Sequence, residues 1–149
     1  NNLGNTLLTI GRLDDAVESY EKTLSLKPDY PEAHNNLGIT YQKLGQVDAA
    51  VKSFKEALTI KPDYHKAHNN LGNAYQELGR LDDAVKSYEK AFTINPDYAE
   101  AHNNLGVTLK ELGQLDDAIK SYEKALDINP EYAVARNNLD IALEELSSK

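Results

Sequence analysis

The sequence of 149 residues contains no cysteine, no methionine and no tryptophan. Because cysteine is missing, the chain forms no disulfide, holds no metal through thiolates and carries no thiol nucleophile. No apolar run approaches the roughly 18 residues that a membrane-spanning helix needs, and no signal-peptide pattern begins the sequence. Since no targeting segment is present, we expect a cytoplasmic location.

Positive charge is scarce: 16 Lys and Arg face 24 Asp and Glu, which gives a net charge of −8. Nucleic acids and anionic membrane surfaces are bound through clustered Lys and Arg side chains. The charge balance therefore argues against both kinds of partner. We expect a protein or peptide segment as the partner, with no nucleic acid and no membrane insertion.

What the sequence does contain is a repeat of 34 residues. Four prolines mark the period: Pro28, Pro62, Pro96 and Pro130. Residues 65–98 and 99–132 align without gaps and share 23 of 34 residues. A fixed period of this length indicates a stacked array of small units rather than one globular core. The period divides the chain into a truncated unit (1–30), three full units (31–64, 65–98 and 99–132) and a C-terminal capping helix (133–149).

Each unit is predicted to form two helices. In the unit 31–64 the first helix spans about Pro31–Leu44 and ends at Gly45, the residue type that favours a helix C-terminus. The second spans about Asp48–Ile60 and stops before Pro62, because the residue preceding a proline resists helical dihedral angles. Two junctions also show the capping-box pattern of an aspartate followed three residues later by a glutamate: Asp29 with Glu32, and Asp97 with Glu100.

Glycine also occurs inside the first helix of each full unit, at Gly38, Gly72 and Gly106. A glycine in a helix interior costs about 1 kcal/mol relative to alanine. Its recurrence indicates a close contact between two helices, where even a methyl group would collide.

Several other residues recur at the same period. In the unit 31–64 they are Leu37, Gly38, Tyr41, Gly45, Ala50, Phe54, Ala57 and Pro62. In this pattern the sequence resembles the tetratricopeptide repeat family. The resemblance implies an all-α fold, a right-handed superhelical solenoid of tandem helix-turn-helix repeats of 34 residues. It also implies a scaffold for protein–protein interaction, in which the first helices line a concave groove.

Catalysis needs a few unlike groups that converge at one place, whereas this sequence repeats like groups along a line. The serines show it, since one repeat position holds Ser19, Ser53, Ser87 and Ser121. We therefore expect no enzymatic activity, no catalytic residue and no cofactor. His65 and His68 lie three residues apart and could share a metal, but no third ligand accompanies them, so we expect no metal site. We interpret the histidines that recur at the repeat period as packing residues: His34, His68 and His102.

Each first helix carries two adjacent asparagines: Asn1-Asn2, Asn35-Asn36, Asn69-Asn70, Asn103-Asn104 and Asn137-Asn138. Asparagine is unfavourable inside a helix because its side chain competes for backbone hydrogen bonds, so the pairs need a role. The second asparagine is placed like the asparagine ladder in O-GlcNAc transferase repeats. Since an amide offers a donor and an acceptor, a ladder of amides in the groove would bind the main chain of an extended partner segment. The predicted groove residues are Asn2, Asn5, Asn36, Ile39, Asn70, Asn73, Asn104, Val107 and Asn138.

Three alternatives stay open. One asparagine of each pair could bond a neighbouring repeat and help to stack the array. The array could be the substrate-recruiting arm of a larger enzyme, such as a glycosyltransferase. It could also form a homo-oligomer through an open N-terminal end, where Leu3, Leu7 and Leu8 have fewer covering neighbours. Clamping of a terminal carboxylate is not favoured, because Lys66 is the only groove lysine suitably placed.

Overall fold

Nine α-helices and no β-strand make up residues 2–148, the part of the chain that this computed structural model describes. They are α1 (Asn2–Thr9), α2 (Leu13–Leu26), α3 (Pro31–Lys43), α4 (Val47–Ile60), α5 (His65–Glu77), α6 (Leu81–Ile94), α7 (Ala99–Glu111), α8 (Leu115–Ile128) and α9 (Ala133–Ser147). Each helix packs on the next, most extensively within the pairs α3/α4, α5/α6 and α7/α8. The helices α3, α5, α7 and α9 also contact one another in succession. The prediction of an all-α solenoid of tandem helix pairs is confirmed.

The helix ends lie close to where glycine and proline place them. α3 ends at Lys43 and α4 begins at Val47, each one residue earlier than predicted. Gly45 between them has a φ of 75°, a left-handed conformation that glycine adopts at little cost. α4 ends at Ile60, two residues before Pro62.

Inside each pair, an aromatic ring of the second helix lies against the glycine of the first. A Cβ atom built on Gly72 would lie 2.5 Å from Cε1 of Tyr88, and one built on Gly38 would lie 2.6 Å from Cε1 of Phe54. Both rings are fully buried. The predicted close contact at these glycines is therefore confirmed, and the atom that a methyl group would meet is a ring carbon.

The predicted capping boxes are wrong. α3 begins after Tyr30 and α7 begins after Tyr98, and neither of these N-cap residues makes a capping hydrogen bond through its side chain. Asp29 and Asp97 therefore lie one residue outside the capping position. At the second junction the cause is the preceding turn, where the N–H of Tyr98 donates to the carbonyl of Asn95 at 3.1 Å and adds a residue before the helix.

The recurring histidines tie the start of a first helix to the turn before it. Their Nε2 atoms contact proline carbonyl oxygens: His34 with Pro28 at 2.9 Å, His68 with Pro62 at 2.8 Å and His102 with Pro96 at 3.3 Å. Because a carbonyl oxygen only accepts, the imidazole donates. His68 and His102 are buried, and burial lowers the pKa of both. The interpretation as packing residues is confirmed for His68 and His102, which also make a hydrogen bond, whereas His34 makes the bond without being buried.

Within residues 2–148, no helix reaches the length and hydropathy that a bilayer crossing requires.

Candidate functional site

The nine predicted groove residues all lie on the first helices, that is α1, α3, α5, α7 and α9. We call the surface that they form the first-helix face: Asn2, Asn5, Asn36, Ile39, Asn70, Asn73, Asn104, Val107 and Asn138. Asn1, the neighbour of Asn2 in the first asparagine pair, lies outside the described residues.

The asparagine pairs are hydrogen bonded from repeat to repeat. The second asparagine of a pair donates its Nδ2 to an Oδ1 atom in the preceding repeat: Asn36 to Asn5 at 2.9 Å, Asn70 to Asn35 at 3.0 Å, Asn104 to Asn69 at 3.2 Å and Asn138 to Asn103 at 3.0 Å. In the last three bonds the acceptor is the first asparagine of the preceding pair. The alternative that asparagines tie neighbouring repeats together is therefore confirmed, and it involves both members of the pair.

On α3, α5 and α7 the first asparagine of the pair lies inside the array. Asn69 is 0% exposed, and its Nδ2 donates to Oε1 of Glu100 at 3.0 Å while its Oδ1 accepts from the next repeat. Asn35 and Asn103 are buried as well. Since buried amides are costly without partners, these bonds explain why the arrangement needs asparagine in both positions.

Asn5 and Asn73 are held through their oxygens alone. Oδ1 of Asn73 accepts from the hydroxyl of Tyr88 at 2.8 Å and from Asn104 at 3.1 Å. Oδ1 of Asn5 accepts from the hydroxyl of Tyr20 at 2.7 Å and from the second asparagine of the next pair at 2.9 Å. Among the residues that the structure describes, neither Nδ2 has an acceptor. Two oriented amide groups thus remain available as donors.

The two apolar members of the first-helix face alternate with these amides. Ile39 and Val107 are half-buried and pack against the hydrophobic core. They occupy, on α3 and α7, the repeat position that Asn5 and Asn73 occupy on α1 and α5. From α1 to α7 this position is therefore amide, apolar, amide and apolar in turn, and on α9 it is Ile141.

A second row of hydrogen bonds, which the sequence pattern did not predict, joins the same helices. Nε2 of Gln76 donates to Glu111 at 2.7 Å, and Gln42 donates to Glu77 in the equivalent way. The side chains of these four residues, together with Asn73, line a cavity of about 470 Å³. Each donor lies 35 residues before its acceptor, and this spacing, one period plus one residue, was a signal that the sequence already contained.

The first-helix face is negatively charged around α5 and α7. Glu77, Glu100 and Glu111 accept from neutral amides rather than from cations, so their charge is not cancelled there. Lys66 at the start of α5 is exposed. The electrostatic balance favours a neutral or positively charged segment over an acidic one.

The two histidines considered as a metal pair have other neighbours. The ring of His65 packs edge-on against Tyr98 with 5.1 Å between centroids, while His68 bonds the carbonyl of Pro62. Across residues 2–148 no three His, Asp or Glu side chains come together in a way that could hold a metal ion.

Comparison with known families decides the identity of the fold. A model of the tetratricopeptide repeat matches residues 63–131, and a second model, of the TPR repeat, matches residues 4–45 and 41–79. The chain belongs to the tetratricopeptide repeat family. Tetratricopeptide repeat proteins act as scaffolds for protein interaction. No curated protein sequence matches the chain.

Solved structures show the same tetratricopeptide repeat architecture. The crystal structure of MamA is 29% identical, with a TM-score of 0.87 over 97% of this chain and 84% of that one. PilF of Pseudomonas aeruginosa is 22% identical, with a TM-score of 0.91 over 99% of this chain and 67% of that one, and shows the fold alone. The first TPR of Spaghetti (RPAP3), bound to the HSP90 peptide SRMEEVD, is 25% identical, with a TM-score of 0.76 over 78% of this chain and 93% of that one.

Proposed function

We propose that this tetratricopeptide repeat chain binds an extended segment of a partner protein along its first-helix face, which forms a concave groove. The amide nitrogens of Asn5 and Asn73 donate to main-chain carbonyl oxygens of the segment. Binding by the main chain makes affinity depend little on the sequence of the segment.

The observation that carries the proposal is the hydrogen bonding of the Asn73 side chain, whose oxygen is used and whose NH₂ group is not. Its oxygen accepts from Tyr88 and Asn104, so the side chain is already oriented, and the residue lines the cavity of about 470 Å³. A donor that is oriented before binding loses little conformational entropy when a ligand arrives. The position suits a carbonyl acceptor.

The spacing suits an extended chain. Neighbouring helices lie about 10 Å apart, so Asn5 and Asn73, two repeats apart, are separated by roughly 20 Å, or about six residues of an extended segment. Ile39 lies between them and offers an apolar contact for a side chain of the segment. Asn70 keeps one amide hydrogen beyond the bonds found among the described residues.

The charge of the face selects the kind of segment. Glu77, Glu100 and Glu111 keep their negative charge, so a neutral or basic segment is favoured. The RPAP3 repeat binds an HSP90 peptide, SRMEEVD, that ends in acidic residues. We expect the first-helix face of this chain to disfavour a segment of that kind.

The test uses peptides selected from a random 12-residue phage library on the immobilised chain, then titrated by calorimetry. Asn73→Asp keeps oxygens that accept from Tyr88 and Asn104 but removes the NH₂ donors. Loss of one hydrogen bond of about 1 kcal/mol corresponds to a roughly fivefold weaker Kd, and repulsion between the carboxylate and the peptide carbonyl adds to it. Asn137→Asp, the same change at an exposed position, serves as the control and should leave Kd unchanged.

The competing view gives the asparagines a structural role only. It expects Asn73→Asp to leave peptide binding unchanged. Asn36→Ala/Asn70→Ala/Asn104→Ala should lower the melting temperature in either view, because these asparagines bond neighbouring repeats. Peptide titration of Asn73→Asp therefore separates the two views. Equal Kd values for wild type and Asn73→Asp would contradict the proposed hydrogen bond from Asn73 to the peptide.

A further inference from the structure

A second cavity lies on the other side of α5. Its volume is about 740 Å³, and it is formed by α4, α5 and α6. The α5 residues that line it are His68, Leu71 and Tyr75. At 100° per residue, these side chains lie roughly opposite Asn70 and Asn73 of the first-helix face. The cavity is therefore separate from the site of the proposed function.

The floor of this cavity is apolar and its rim is basic. Leu58, Leu71 and Ile94 line it together with three lysines, Lys55, Lys86 and Lys90. These lysines have no ion-pair partner within 4.0 Å among the described residues. The cavity thus concentrates positive charge in a chain whose net charge is −8.

The acidic side chain in the lining does not cancel this charge. Asp83 is bound by Arg80, whose Nη2 lies 2.6 Å from its Oδ2. Lys55 extends over the ring of Tyr75 at 5.8 Å from the centroid. Burial lowers the pKa of His68, so the lysines carry the positive charge of the cavity at neutral pH.

The equivalent place one unit earlier has a different chemistry. The cavity there has a volume of about 330 Å³, and α4 contributes Lys52 and Glu56 to its lining. In the larger cavity the same repeat positions, on α6, are Lys86 and Lys90. One lysine and one glutamate cancel each other. The basic rim is therefore a feature of one unit, not of the repeat.

One unit later, an aromatic ring replaces a leucine and the charge is reduced. The ring of Phe92, which stands where the unit before has Leu58, stacks on His102 with 4.5 Å between centroids. Glu89 stands at the repeat position of Lys55, and Lys120 is paired with Asp117 at 2.9 Å. The next unit therefore differs from this one in both the shape and the charge of the equivalent surface.

We propose that the cavity between α4, α5 and α6 binds a short acidic segment of a partner protein. An apolar side chain of the segment enters between the helices and contacts Leu58 and Leu71, while flanking carboxylates reach the lysines. Charge complementarity of this kind gives specificity and a fast association rate. The volume far exceeds that of a single inorganic anion, and the net charge of −8 repels a long polyanion.

The probe is a fluorescein-labelled nine-residue peptide with a central phenylalanine between two Asp-Glu pairs, titrated against the full chain by fluorescence anisotropy. Lys86→Gln/Lys90→Gln should weaken its Kd by about tenfold or more. The matched control is Lys120→Gln/Lys124→Gln, which makes the same change in net charge at the same repeat positions one unit later. The Kd of the control variant should stay within about twofold of the wild-type value. Raising the salt concentration from about 50 to about 300 mM should weaken binding of the peptide to the wild-type chain.

A second variant tests the cavity without changing any charge. Leu58→Phe copies the next unit and should place a ring on His68, so it should abolish peptide binding while all three lysines remain. A second peptide carries serine in place of the central phenylalanine. Its affinity for the wild-type chain should be as low as the affinity of the Leu58→Phe variant for the phenylalanine peptide. Circular dichroism establishes that each variant is folded.

Several outcomes would overturn the proposal. One is equal loss of binding in both lysine double variants, which would mean attraction to the overall charge. A second is loss of binding in Asn73→Asp but not in Lys86→Gln/Lys90→Gln, which would place the peptide on the first-helix face. A third is binding of an RNA oligonucleotide, but not of the peptide, with the same dependence on the lysines. A fourth is self-association removed by Lys86→Gln/Lys90→Gln, which would make a second copy the occupant.

Discussion

At the scale of the residue, the asparagine pairs show why one amino acid recurs at two adjacent positions. Asn69 is buried with a donor and an acceptor both used. Asn137 has the same repeat position on α9 but is exposed. The same side chain therefore has a structural role in one repeat and is close to neutral in another.

This contrast gives a prediction with an internal control. Asn69→Ala should lower the free energy of unfolding by about 1–3 kcal/mol, because Glu100 and Asn104 lose a buried partner. Asn137→Ala should change it little or raise it slightly, since alanine is the better helix former. Urea unfolding followed by circular dichroism measures both. Equal effects of the two substitutions would contradict a role for burial at Asn69.

The buried tyrosines of the second helices give a pH prediction. Burial raises the pKa of Tyr122 to about 12 from its ordinary value of 10.0. Because the folded state then holds the phenol proton more tightly than the unfolded state, stability is complete below pH 10 and falls between pH 10 and about 12. Tyr122→Phe should make stability depend less on pH in this range, with less than about 1 kcal/mol of change at pH 7.

We expect Tyr122→Phe to have little effect on stability at pH 7 because a phenylalanine, Phe54, is fully buried at the same repeat position in another unit. Denaturant unfolding at a series of pH values is the measurement. The prediction is contradicted when wild type and Tyr122→Phe lose stability in parallel above pH 10.

At the scale of the element, the contact between the two helices of a unit is set by glycine and an aromatic ring. The sequence indicated a close contact at Gly72 from recurrence alone, but it did not identify Tyr88 as the neighbour. Helix ends were predicted within one residue from Gly45 and Pro62. The capping box of Asp97 and Glu100 is wrong because the turn at Tyr98 includes one more residue than the sequence pattern requires.

Gly72→Ala should destabilise the chain by about 1–3 kcal/mol through overpacking against Tyr88, despite the better helix propensity of alanine. Gly72→Leu should cost more, because the helices must separate. The penalty of Gly72→Ala should shrink in a Tyr88→Leu background, where the ring is absent.

Asp140→Ala provides the matched control, because Asp140 occupies the same repeat position on α9 and is exposed. It should have little effect on the urea midpoint. An undiminished penalty in the Tyr88→Leu background would show that the ring is not the obstacle.

At the scale of the whole molecule, apolar side chains are exposed beside α1 and α2. Leu3 is 64% exposed, Ile10 61% and Leu26 81%, whereas Leu7 is buried and Leu8 half-buried. The expectation of fewer covering neighbours thus applies to Leu3 but not to Leu7.

We expect these exposed residues to cause association that depends on concentration, since open apolar faces of repeat arrays are normally covered. Ile10→Ser/Leu26→Ser should shift the molar mass in light scattering toward the monomer. Leu143→Ser on α9, where the side chain is also exposed, is the control and should leave association intact. A monomeric mass for wild type at all concentrations would contradict this prediction.

The sequence alone determined the repeat, the helix pairs and the family, because period, glycine and proline act through local backbone geometry. It also placed asparagines on the first helices. Only the tertiary structure decided which amide groups are used, since a bond such as that from Asn104 to Asn69 joins residues 35 positions apart. The same holds for the basic cavity of Lys55, Lys86 and Lys90, which becomes one site only when α4 and α6 pack around α5.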